Sequence, residues 1–128
     1  MTETLLQQQD GAVVTLTLNR PDRLNAIVPE MSAALLEALG RIGQDGSIGA
    51  VVLTGAGRGF CAGGDVQGMG GRAELALADR TRQLRGWAEI SRLLSEIPQV
   101  TICALNGVAA GAGLSLALAC DLRIAAES

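Results

Sequence analysis

Histidine, lysine and tyrosine are all missing from this 128-residue chain, and Trp87 and Phe60 are its only aromatic residues. Without histidine, the Ser-His and Cys-His catalytic pairs are excluded and the commonest zinc ligand is gone, so no metal site is expected. Without lysine, the phosphate loop G-x-x-x-x-G-K-[ST] cannot be written anywhere in the chain. An aromatic content of 2% leaves no stacking face for RNA or single-stranded DNA. The ten positive charges are all arginines, against a net charge of −3. Arg72, Arg80, Arg82, Arg85 and Arg92 do cluster, but Glu74, Asp79, Glu89 and Glu96 are interleaved with them, the pattern of a solvated helix face rather than a nucleic-acid stripe.

Long apolar runs are also scarce. The longest, Val108 to Cys120, is broken by Ser115 and falls short of the roughly 20 residues a membrane span needs. Met1 to Thr4 carries neither the basic region nor the hydrophobic core of a secretory leader. Cys61, Cys103 and Cys120 are odd in number and widely spaced, which reads as free thiols in a reducing compartment. A cytoplasmic protein with no membrane and no nucleic-acid partner is the expectation.

What the chain does have is 48% hydrophobic residues and 17 glycines. Its core must therefore be built from Ala, Leu, Val and Ile. Two glycine-rich turns stand out. Gly57-Arg58-Gly59-Phe60-Cys61-Ala62-Gly63-Gly64-Asp65 follows the apolar run Ala50 to Leu53. Asn106-Gly107-Val108-Ala109-Ala110-Gly111-Ala112-Gly113 follows Val100 to Leu105 and leads into the helix-like Leu114 to Ala119. Small residues leave backbone N–H groups uncovered, and two strand-to-helix turns of this kind can aim two donors at one developing negative oxygen. Either turn alone is an ordinary loop signal. Neither gives a G-x-G-x-x-G opening a helix with an acidic residue at the dinucleotide-binding distance. Cys61 sits in the first turn, but without a histidine it is a poor nucleophile.

The rest of the chain alternates. Asp10-Gly11 between Thr4 to Gln8 and Ala12 to Leu18 predicts a β-hairpin. Asn19 to Asp22 reads as a turn, and Pro29 to about Gln44 as an amphipathic helix burying Met31, Ala34, Leu35, Ala38, Leu39 and Ile42. Ile48 to Thr54 reads as a strand buried on both faces. Val66 to Arg72 is small and flexible in character. Ala73 to Ile97 has a helical stripe of Leu75, Leu84, Trp87, Ile90, Leu93, Leu94 and Ile97, stopped by Pro98. Val100 to Leu105 and a strand beginning at Asp121 complete an order β-β-α-β-α-β-α-β, an α/β layered fold.

Three motifs in this order, Asn19-Arg20-Pro21-Asp22-Arg23-Leu24-Asn25-Ala26, Gly59 to Val66 and Ala104 to Gly113 with Leu116 to Asp121, resemble the enoyl-CoA hydratase/isomerase (crotonase) family across essentially the whole chain. The resemblance implies a ββα spiral, assembled as trimers or hexamers, that binds an acyl-CoA thioester and stabilises its enolate. Residues 1–128 would form the N-terminal part of a single such domain, incomplete at its C-terminus. No separate cofactor is implied, since CoA is part of the substrate. By position the two backbone donors would be Ala62 and Ala112, with Gly111 adjacent. CoA would lie along Arg23, Leu24 and Ala26, then Ala62, Gly63, Gly64, Asp65 and Val66, with Arg20 a second candidate for its phosphates. Ser115 departs from the hydratases, which carry a glutamate there. That departure favours an isomerase, closest in look to the ring-epoxide isomerases of phenylacetyl-CoA breakdown, with the proton-transfer residue beyond Ser128. A hydratase, and a non-catalytic half-domain acting by binding or oligomerisation, are the alternatives. Asp65 and Asp121 are expected to fix local backbone or pair with arginines rather than transfer protons.

Overall fold

The computed structural model describes residues 3–64 and 77–126. Strands β1 (Leu5–Asp10) and β2 (Val13–Leu18) form the expected hairpin, antiparallel, with Leu5 opposite Leu18 and Asp10 opposite Val13. Helix α1 (Pro29–Gly43) opens with its proline in the first turn, where the missing N–H costs nothing. Then follow β3 (Ala50–Gly55), α2 (Leu77–Glu96), β4 (Val100–Leu105), α3 (Ala112–Ala119) and β5 (Leu122–Ala125).

The five strands lie in the sheet in chain order, with every pair after the hairpin parallel. Residues of α1, α2 and α3 share one core with a single face of that sheet: Val14, Leu16 and Leu18 of β2, Val51 and Leu53 of β3 and Cys103 of β4 pack with Leu35, Leu39, Ile90, Leu94 and Leu116. A sheet that never reverses its order and keeps its helices on one side winds in one direction, as a spiral of strand–helix turns.

Three packing expectations need correction. β3 is not buried on both faces. Val51 and Leu53 are fully covered by the helices, while Ala50, Val52 and Thr54 on the reverse face stay half-exposed. Val13, Val100, Leu122 and Ile124 are exposed on that same reverse face. In α2, Leu84 is exposed and the core stripe is carried by Ile90 and Leu94, with Trp87 and Leu93 at its margin. In α1, Ala34 is only half-buried, and Ser32 lies buried in the helix face. The readings for Leu75 and for Val66 to Arg72 fall outside the described residues. No helix among the described residues is long and apolar enough to cross a membrane.

Candidate active site

Two buried or half-buried asparagines build the site by holding the first glycine-rich turn in place. Asn25 takes the left-handed conformation (φ 57°), one that a short polar side chain tolerates better than most. Its carbonyl oxygen accepts the Arg20 N–H at 2.7 Å, and its Nδ2 donates to Ala56 O and Gly59 O, both at 2.9 Å. Asn106, at the end of β4, donates through Nδ2 to Gly55 O (2.8 Å), Gly57 O (2.9 Å) and Gly59 O (3.1 Å). Gly59 O is thus gripped from both sides. A buried carbonyl needs such a partner, and a turn with this little side chain has none of its own.

The strip Arg23 to Ile27 runs beside the turn. Ala62 N donates to Leu24 O (2.9 Å), Ile27 N to Gly63 O (2.7 Å), and Ile27 bridges Gly64 in parallel. Leu24 and Ile27 thus tie the strip to the first turn, with Ala26 between them. Arg23 is exposed. Arg20 is half-buried, and its guanidinium donates to Ala26 O at 2.7 Å, so it holds the strip's backbone. Asp65 and Val66 fall outside the described residues.

The second turn docks on the first. Phe60 N and Cys61 N both donate to Val108 O at 3.0 Å, Ala110 N donates to Cys61 O at 3.1 Å, and Cys61 bridges Ala109. The approach is tightest at Gly107, where an added Cβ would overlap Arg58 O, and nearly as tight at Gly113, where it would stand 2.8 Å from Cys61 Cβ and overlap Cys61 O. Gly63 has φ 103°, and a Cβ there would lie 3.0 Å from Ala110 O and 3.6 Å from Ala112 N. Backbone against backbone at this range admits only glycine.

The donors left over define the chemistry. The expectation that Ala62 supplies one does not fit this geometry, because its N–H is already committed to Leu24 O. Two residues on, the N–H of Gly64 has no acceptor among the described residues. Neither has the N–H of Ala112, the first residue of α3, where a helix leaves its donors unpaired and its dipole positive. Gly111, adjacent, takes φ 54° and caps the helix.

Beside Ala112 opens an apolar cavity of about 350 Å³, lined by Ile27, Trp87, Ala88, Ile90, Ser91, Ala112, Ser115 and Leu116. α2 gives it residues 87, 88, 90 and 91, and α3 gives it 112, 115 and 116, in each case one face of the helix. Among the described residues, Ser115 Oγ reaches Gly111 O (3.4 Å) and no carboxylate lines the space. Cys61 is fully buried, and burial pushes its thiol up from its ordinary value, so it stays a thiol. Asp121 accepts the Thr101 N–H at 2.9 Å and returns its own N–H to Thr101 Oγ1 at 3.0 Å, the backbone-fixing role expected of it. Among the described residues no cluster of three His, Cys, Asp or Glu is placed to hold a metal.

The sequence motifs contain Asn25 and Asn106, but their part in holding the turns shows only in the fold. The available signal was Asn106 at the start of the second glycine-rich segment; Asn25 reaches the first segment from the Asn19 to Ala26 motif, far off in sequence.

The enoyl-CoA hydratase/isomerase family model matches residues 8–128, and the chain belongs to that family of enzymes. It is 45% identical to 1,2-epoxyphenylacetyl-CoA isomerase of Escherichia coli, over 100% of this chain and 49% of that protein. A probable enoyl-CoA hydratase, EchA14 of Mycobacterium tuberculosis, is 44% identical over 96% of this chain and 47% of its own. Among solved structures, a putative enoyl-CoA hydratase from Streptomyces coelicolor superposes with a TM-score of 0.91 at 41% identity, covering 95% of this chain and 45% of that one. A monofunctional enoyl-CoA isomerase from M. smegmatis gives 0.78 at 37% identity, over 97% of this chain and 50% of that one. The fold is thus the crotonase α/β spiral, and the chain spans about half the length of the curated relatives it matches.

Proposed function

We propose that this chain holds the thioester carbonyl of an acyl-CoA between the backbone N–H groups of Gly64 and Ala112, with the acyl group in the cavity between α2 and α3. The observation that carries the reading is the pair of uncommitted donors on two turns that touch at Gly63. Loss of a proton from the carbon beside the carbonyl sends the C–H electron pair toward the carbonyl oxygen, and the two donors meet the resulting charge. One such donor contributes roughly 3 kcal/mol to the transition state. The donors are main-chain groups, so a side chain at Ala112 is no obstacle. CoA is part of the substrate and would run along the strip from Arg23 to Ala26, with Arg23 exposed toward its phosphates.

The reaction type is a proton shift rather than addition of water. Ser115 lines the cavity with no base beside it, and the E. coli relative is named an isomerase. Water addition is the second reading, favoured by the names of the mycobacterial and Streptomyces relatives. A trimer or hexamer is the assembly proposed, with the proton-carrying residue outside residues 1–128.

Calorimetry with an acyl-CoA and with its thioether analogue, in which the carbonyl is a methylene, tests the carbonyl site. Two lost hydrogen bonds are expected to weaken binding about tenfold. Equal affinity would overturn the site. In D2O, exchange of the proton beside the carbonyl without hydration of a 2-enoyl thioester marks the proton shift, and hydration marks the second reading.

A further inference from the structure

One aromatic ring lines the cavity, and it is pinned from outside the two glycine-rich turns. Trp87 of α2 lines the space, and its indole N–H donates to Ser32 Oγ of α1 at 3.1 Å. Ser32 is buried in the core-facing side of α1, a costly place for a hydroxyl unless it is used. The pair lies 55 residues apart in sequence and fixes the ring where α1 meets α2. An indole held by its one donor cannot rotate about its side-chain bonds without breaking a part-buried hydrogen bond. The other lining groups near it, Ile27, Ile90, Leu116 and Ala112, are apolar and short.

Resting on the acyl-CoA reading above, we propose that Trp87 is the specificity-determining residue of the acyl pocket and Ser32 its positioning residue, together selecting a flat, ring-bearing acyl group over a linear one of equal carbon number. A fixed aromatic face gains from a second ring through stacking or edge contacts, which a flexible alkyl chain does not supply and whose ordering it must also offset.

The test uses phenylacetyl-CoA and octanoyl-CoA, which carry the same number of acyl carbons, titrated calorimetrically into the full 128-residue chain. The readout is the ratio of the two dissociation constants, which a change in overall stability does not move. Wild type is expected to prefer the phenylacetyl thioester. Trp87→Leu should shrink that preference about fivefold, within the two- to tenfold range of an aromatic pair. Ser32→Ala should shrink it by a smaller factor, and Ser32→Thr, which keeps the hydroxyl, should restore it. Trp87 is the sole tryptophan, so indole emission should respond to the phenylacetyl thioester in wild type and less sharply in Ser32→Ala. An unchanged ratio in Trp87→Leu, with both thioesters still bound, would overturn the role of Trp87 and leave the carbonyl site standing. A folded wild type that binds neither thioester would overturn the acyl-CoA reading and this inference with it.

Discussion

In the first glycine-rich turn the carbonyls of Gly55, Gly57 and Gly59 are tied to one asparagine amide and the Ala62 N–H is spent on Leu24 O. In the second, the Ala112 N–H leaves the start of α3 with no acceptor among the described residues. The two segments are written in nearly the same letters. What separates them is the neighbour each meets. The first is wedged between the Arg23 to Ile27 strip and Asn106, so the N–H groups of Phe60, Cys61 and Ala62 are consumed, while that of Gly64 has no acceptor among the described residues. The second runs straight into a helix, whose first turn cannot pair its own N–H groups. Glycine content permits a donor site, and the surrounding hydrogen bonds decide which N–H is left to serve it.

The strongest way to break that comparison is to force the two turns apart. Gly113→Ala drives a methyl into Cys61 and should cost about 2–3 kcal/mol, near the upper range for overpacking, read as a lower urea midpoint at unchanged slope. Next comes removal of the clamps. Asn25→Ala strands the carbonyl of Ala56, leaves Gly59 O to Asn106 alone and places alanine at positive φ, for about 2 kcal/mol of stability. Asn106→Ala leaves Gly59 O held by Asn25, and it should cost about 1–2 kcal/mol while also weakening acyl-CoA binding, because the Asn106 side chain ties the second turn to Gly55, Gly57 and Gly59. A smaller effect concerns Cys61. Its buried thiol, held above its ordinary value by desolvation, should react with a thiol reagent at pH 8 far more slowly than free cysteine, and regain full reactivity in denaturant.

Smallest of all is Asp45, in the exposed turn after α1. It accepts hydrogen bonds from Ser47 N (2.9 Å) and Ser47 Oγ (2.6 Å), which hold its carboxyl below the usual value. A depressed carboxylate stabilises the fold above its unfolded value of about 3.9 and loses that contribution as pH falls through the folded one. NMR titration should place its midpoint below that of a model peptide. Ser47→Ala should bring it back up.

Much of the architecture was legible beforehand because periodicity reports local structure directly. The hairpin at Asp10-Gly11, the α1 stripe and the alternation of strands and helices all follow from spacing within one element. What was not legible depended on partners far along the chain. β3 reads as doubly buried because its letters are apolar on both sides, yet all three helices pack on one face. Ala62 is a natural donor by position, and only the docking of Leu24 O shows that its N–H is taken. Ser32 looks like a surface residue until Trp87, from another helix, reaches it.

The most direct test of the donor assignment is an amide NMR titration of the 128-residue chain with an acyl-CoA and, separately, with its carbonyl-free thioether. The account predicts that the Gly64 and Ala112 amide resonances move with the thioester and stay nearly still with the thioether, while Ala62 responds little to either. Movement of Ala62 with Gly64 unmoved, or identical shifts from both ligands, would contradict it.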